Sequence, residues 1–165
     1  MAWTTPVDVN PGDAILASLW NQDVVDNLTE LAPFFSAWTT ITPTTSGFTL
    51  GNGTIAARRF RIGSMIAYVG TLTFGSTTSV SGTLRIGLGT GGGSNIRDAI
   101  GQAIFIDGST YYHGISIIET SIDSGLLGFY RSGGSASMAA VGATVPFTWA
   151  NGDKLLWSIL YEIAP

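Results

Sequence analysis

From Pro33 onward the sequence is cut into short β-favouring runs by turn signals, and this punctuation limits the fold more than any other feature. Residues 58–62, 65–74, 83–88, 99–106, 111–119, 126–130, 137–141 and 155–163 are strand candidates, most of them containing several β-branched or aromatic side chains. Between them stand Gly51-Asn52-Gly53, Ile62-Gly63-Ser64, Asp107-Gly108-Ser109, Ser132-Gly133-Gly134-Ser135 and Asn151-Gly152-Asp153. Short strands at this spacing imply an antiparallel sandwich or barrel. Several runs, such as 100–106 and 115–118, are apolar at both alternating positions. A strand of that kind is expected to be covered on one side by its own core and on the other by a neighbouring subunit.

The first 33 residues read differently. Pro6 and Pro11, with Trp3, Thr4, Thr5, Val7 and Val9, oppose helix and suggest an extended arm. Pro11-Gly12-Asp13 marks a turn. Then the period changes: Leu16, Trp20, Val24, Leu28 and Leu31 fall on one helical stripe, with Asn21, Asp23, Asp26, Asn27 and Glu30 largely elsewhere. Ala32-Pro33 ends the helix, because the proline ring disfavours the α conformation in the residue before it. The chain therefore divides into 1–33, an arm and helix suited to docking, and 34–165, a β-domain.

Only 11% of the 165 residues are charged while 45% are apolar, against about 25% charged in an average soluble domain. A surface so poor in charge implies that copies of the chain, or another protein, cover part of it. No apolar stretch approaches the roughly 18 residues of a membrane-spanning helix, so no membrane partner is expected. Residues 1–57 hold five acids and no Lys or Arg, and the remainder six acids against seven bases. An acidic leading segment repels nucleic acid. There are no cysteines, which removes disulfides, thiolate metal sites and a cysteine nucleophile. The opening Met1-Ala2-Trp3-Thr4-Thr5 lacks the basic residue and apolar run of a secretion signal.

Catalytic constellations are hard to assemble from this inventory. The run Gly87-Leu88-Gly89-Thr90-Gly91-Gly92-Gly93-Ser94 has the backbone freedom of an anion-binding loop but lacks the Gly-Lys-Ser/Thr ending and a following helix. It reads as an inter-strand loop. His113 is the only histidine and has no Ser-His-Asp or metal-ligand spacing around it. Asp98, Asp107, Glu119, Asp123 and Asp153 lie mostly at turns, where Asp caps the backbone. No enzyme activity and no cofactor are expected. Arg58, Arg59 and Arg61 form the one basic cluster, with Arg59 and Arg61 on one face by alternation. Either this cluster is a solvated or inter-subunit face, or it contacts an anionic surface. Tyr111, Tyr112 and His113 form a second candidate contact surface.

Trp3-Thr4-Thr5-Pro6, Pro11-Gly12-Asp13 and Ala17-Ser18-Leu19-Trp20-Asn21 through Val25-Asp26-Asn27-Leu28 resemble the N-terminal module of small virion proteins of tailed phages, among them minor tail, fibre and capsid-decoration proteins. That family usually carries Thr or Ser as a helix cap where this chain has Leu16. Gly51-Asn52-Gly53, Arg59-Phe60-Arg61-Ile62-Gly63 and Tyr68-Val69-Gly70 resemble the first half of its β-domain, and Pro146-Phe147-Thr148-Trp149, Gly152-Asp153 and Tyr161-Glu162-Ile163-Ala164 its closing strands. The ending also resembles trimeric jelly rolls of the tumour-necrosis-factor type. The resemblance implies a mainly β, antiparallel jelly-roll-like sandwich behind an extended arm and one short α-helix, assembled as a homotrimer. It implies a place on the virion surface after assembly in the host cytoplasm, decorating the capsid or, alternatively, serving as a tail or fibre module that binds a host receptor or surface glycan. A cell-wall or polysaccharide hydrolase is the remote alternative. The expected partners are further copies of the chain and the major capsid protein or a tail protein, with Trp3, Leu16, Trp20, Val24, Leu28 and Leu31 as the docking residues.

Overall fold

The computed structural model describes residues 12, 14, 16–31, 38–89, 98–118, 125–132 and 137–163. A short helix runs through α1 (Ala17–Trp20), a π-helical turn (Asn21–Asp26) and α2 (Asn27–Leu31). Ten strands come after it: β1 (Thr39–Ile41), β2 (Thr45–Thr49), β3 (Thr54–Ile62), β4 (Met65–Thr73), β5 (Ser79–Gly87), β6 (Ala99–Asp107), β7 (Thr110–Ile118), β8 (Leu126–Ser132), β9 (Met138–Ala140) and β10 (Lys154–Glu162). The expected mainly β, antiparallel architecture with one short helix is the one the chain adopts. Each of the eight anticipated runs is a strand, β3 to β10. β1 and β2 are additions that the sequence pattern does not announce. Trp3 and the rest of the arm, Ala32-Pro33, Thr90 to Ser94, Glu119, Asp123 and Gly133 to Ser135 fall outside the described residues.

The strands form one antiparallel sheet in the order β1-β3-β4-β10-β6-β7-β8-β5-β2, with β9 beside β8. Nine strands side by side in a flat sheet would set its edges about 38 Å apart. Yet β1 at one edge and β2 at the other are joined by residues 42–44 alone, a link that reaches at most about 15 Å. The sheet therefore has to roll, and it curls into a half-barrel. Hydrogen bonds cross the seam: the Tyr68 hydroxyl donates to the Gly87 carbonyl at 3.1 Å and Arg59 Nη1 to the Gly89 carbonyl at 3.2 Å, while the Gly87 amide, donating to the Thr44 carbonyl at 2.8 Å, extends the β2–β5 ladder into the tether.

Rolling gives every strand an inner and an outer side. In β10, Leu155, Trp157, Ile159 and Tyr161 alternate inward and are buried, while Lys154, Ser158, Leu160 and Glu162 point outward and are exposed. Tyr68, Leu72, Phe105 and Phe129 join them inside, each large side chain contributing on the order of 1.5 to 3 kcal/mol when buried. Gly70, opposite Trp157, is required there because a β-carbon would occupy the space of the indole ring. The hairpin turns after β3 and β6 use Gly63 and Gly108 at φ 58° and 57°, a conformation that glycine adopts without strain. One end of the roll is plugged by the segment before β10. Trp149 stacks on Phe74 at 4.3 Å, Phe147 lies 4.7 Å from Trp149 and 5.1 Å from Tyr112, and the Arg131 guanidinium covers Tyr112 at 4.6 Å.

Burial pushes the hydroxyl of Tyr68 above the usual tyrosine range, helped by neighbouring Tyr161. Tyr161 is raised by burial too, with Arg59 acting in the opposite direction. Among the described residues the Tyr161 hydroxyl and Trp157 Nε1 have no hydrogen-bond partner. An unfolded tyrosine ionises near pH 10, so the folded state gains from keeping both phenols protonated. That gain is whole below about pH 10 and is lost as pH rises toward the folded-state values. Tyr68→Phe is expected to cost about 1 to 2 kcal/mol at neutral pH through the lost bond to Gly87, and to flatten the decline of stability above about pH 10. Urea unfolding at a series of pH values checks both effects.

Candidate functional site

Buried apolar side chains line the inside of the roll, and the candidate binding surfaces among the described residues stand on its outside. Two apolar surfaces stand there: the helix stripe and the outer face of the sheet.

On the helix, Leu16, Trp20, Val25 and Leu28 are exposed, Trp20 at 53% and Leu28 at 59%. Val24 and Leu31 are half-buried. The expected stripe thus slips from Val24 to Val25, because the π-helical turn takes an extra residue per hydrogen-bonded ring and rotates the residues after it. Polar Asn27 is buried while its apolar neighbour Leu28 is in solvent. The helix starts at Leu16 in extended conformation with no side-chain cap, so its first amides lack the partner that Ser or Thr would supply. No extensive packing joins the described helix to a described strand, although buried Asn27 and half-buried Val24 and Leu31 show that part of the helix surface is covered. Trp3, the remaining expected docking residue, is outside the described residues.

The basic cluster does not form a single patch. Arg58 points outward and lies over the Trp38 ring at 5.0 Å. Arg59 and Arg61 share the other side of β3, as alternation requires. Arg59 is occupied by the Gly89 carbonyl, and Arg61 Nε donates to the Gly63 carbonyl at 2.6 Å. Alternation also splits the second candidate surface. Tyr111 and His113 are exposed on the outer face of β7, whereas Tyr112 faces the other way, between Phe147 and Arg131. Asp153 is buried and caps the turn before β10 by accepting from the Ala150 amide at 2.6 Å.

In the sequence the outer face is legible only as strands apolar on both sides. The registers place its side chains in cross-strand rows. Ala56, Thr71, Leu156, Ile104 and His113 form one row across β3, β4, β10, β6 and β7, and Arg58, Val69, Ser158, Gln102 and Ile115 the next. The β3, β4, β10 and β6 members of these rows line an open hollow of about 600 Å³. Farther along the same face Ile62, Met65, Leu160 and Ile100 protrude, Leu160 at 55% and Ile100 at 71% exposure. Searches against protein-family models, curated proteins and solved structures each found no match. The two apolar surfaces are therefore the features that bear on function.

If the stripe serves a partner and not the core, replacing Trp20 and Leu28 together by Asp is expected to change the stability of the β-domain by less than about 0.5 kcal/mol. Urea unfolding monitored by far-ultraviolet circular dichroism measures it, and a larger loss would make the helix part of the core.

Proposed function

We propose that this chain is a structural protein of a tailed-phage virion: a homotrimeric, jelly-roll-like capsid-decoration protein held by residues 1–33, with its β-domain projecting outward. The observation that carries the reading is the exposure of Leu16, Trp20, Val25 and Leu28 on a helix that has no extensive packing on the described strands. A solvent-exposed apolar stripe is stable only when a partner covers it. The β-domain, with its core inside its own roll, needs no help from that helix. The mechanism is binding: a large side chain buried in the contact contributes on the order of 1.5 to 3 kcal/mol, and three linked copies turn weak contacts into tight attachment. The residues that resemble the N-terminal module of tailed-phage virion proteins support the same assignment.

A second reading, a minor tail or fibre module that recognises host glycan, draws on Tyr111. That ring is 71% exposed at the β6–β7 turn, where an aromatic face can stack on sugar. Binding of the purified protein to host cells, lost in Tyr111→Ala, would favour it.

The decisive test uses particles that lack the protein. A chain without residues 1–33 is expected to remain folded and trimeric but to stay in the supernatant when the particles are sedimented, and the full chain to pellet with them. Retention of the truncated chain on the particles would place attachment in the β-domain and overturn the proposal.

A further inference from the structure

We infer that copies of this chain meet through the outer face of β3, β4, β10 and β6, the protruding side chains of one copy entering the hollow of the next. The inference rests on the homotrimer proposed above and assigns its contact surface. An antiparallel sheet that faces water carries polar side chains on that side. Here the outer side carries Ala56, Phe60, Ala67, Val69, Leu156 and Leu160 along the three adjacent strands β3, β4 and β10. With β6 and β7 included the face is five strands wide and nine residues long, a flat footprint of about 500 Å² before side-chain relief is counted. Polar side chains such as Thr71, Ser158 and Gln102 are interspersed on this face, but exposed apolar patches of a few hundred Å² are often contact sites, and with its relief the whole face approaches the roughly 800 Å² that each partner gives to a stable interface.

Charge and shape name the occupant. The charges of this face stand at its margins: Arg58 is exposed on β3 with its guanidinium over the Trp38 ring, and Lys154 and Glu162 lie at opposite ends of β10. An equally apolar, nearly uncharged surface suits it, and this face is one. It also holds both halves of a fit. Ile62, Met65, Ile100 and Leu160 project at one end, and the hollow of about 600 Å³, walled by Ala56, Val69, Thr71, Ile104 and Leu156, lies beside them. Projection and hollow are separate patches, so two copies can engage them reciprocally about a two-fold axis or head-to-tail, and the head-to-tail form is the one that closes into the proposed three-membered ring.

Light scattering of the full chain, wild type against Leu160→Asp and Thr71→Arg, tests this. Wild type is expected at three times the 17.3 kDa of one chain, and each variant at 17.3 kDa with an unchanged far-ultraviolet spectrum. A wild-type mass retained by either variant overturns the inference and leaves the trimer standing. A two-chain wild type that both variants break keeps this face as the contact and removes the three-fold reading. A one-chain wild type removes both. Should a variant fail to fold, Ile100→Cys gives a second measurement, since the chain has no other cysteine. Maleimide labelling is expected to be at least tenfold slower at assembling concentrations than after dilution to single chains, with Ser76→Cys, on an exposed turn, unaffected. Equal rates at Ile100 before and after dilution overturn the inference, as would protection that appears only when virion particles are added.

Discussion

Residues 42–44 hold the two ends of the sheet together, and most of the architecture depends on that short tether. β1 pairs with β3 at one edge and β2 with β5 at the other, so a link this short converts a wide sheet into a roll. Rolling decides which alternating positions become core. It also brings Tyr68 within hydrogen-bonding reach of Gly87, although β4 and β5 are far apart in the sheet order. Pro43 is buried in the tether, where its fixed φ reduces the freedom the chain has to give up.

The parts of this fold legible in the sequence are those whose signal is local. Alternation and glycine-bearing turns mark β3 to β10, because each strand has its own period and its own punctuation. Thr39–Ile41 carries neither, and Thr45–Thr49, though the Gly51-Asn52-Gly53 turn follows it, has no clear alternation of its own. They are three and five residues long, rich in Thr and Ser, and flank a proline, so they are strands by virtue of partners such as Arg58 and Ile86, remote in sequence. Tertiary pairing outweighs propensity in such segments. The helix shows the opposite failure. Its existence is readable, but a stripe drawn with a constant period misses the wide turn Asn21–Asp26, which moves exposure from Val24 to Val25.

For the surface residues, alternation applied strictly is the better guide. It separates Arg58 from Arg59 and Arg61, and Tyr112 from Tyr111 and His113, so neither triplet is a patch. The outer hollow and its neighbouring projections are beyond a one-dimensional reading. They depend on which residue of β10 stands beside which residue of β4 and β6, and register is set by the rolled sheet as a whole.

Two uncovered apolar surfaces on one small chain impose an order on assembly. The sheet face is broad and held by its ladders of hydrogen bonds, so little conformational entropy is lost when it is covered. The helix makes its described contacts within itself, and a helix of this length is marginal in water without a partner. Fixing its residues on a docking surface costs about 1 to 2 kcal/mol each for any that were free beforehand, so a lone helix binds weakly for the area it buries. In the proposed trimer, copies joined through their sheets would present several helices at once, and the second and third would bind at a high effective concentration. The proposed self-association through the sheet would thus strengthen the proposed docking through the helix, although the two surfaces share no residue.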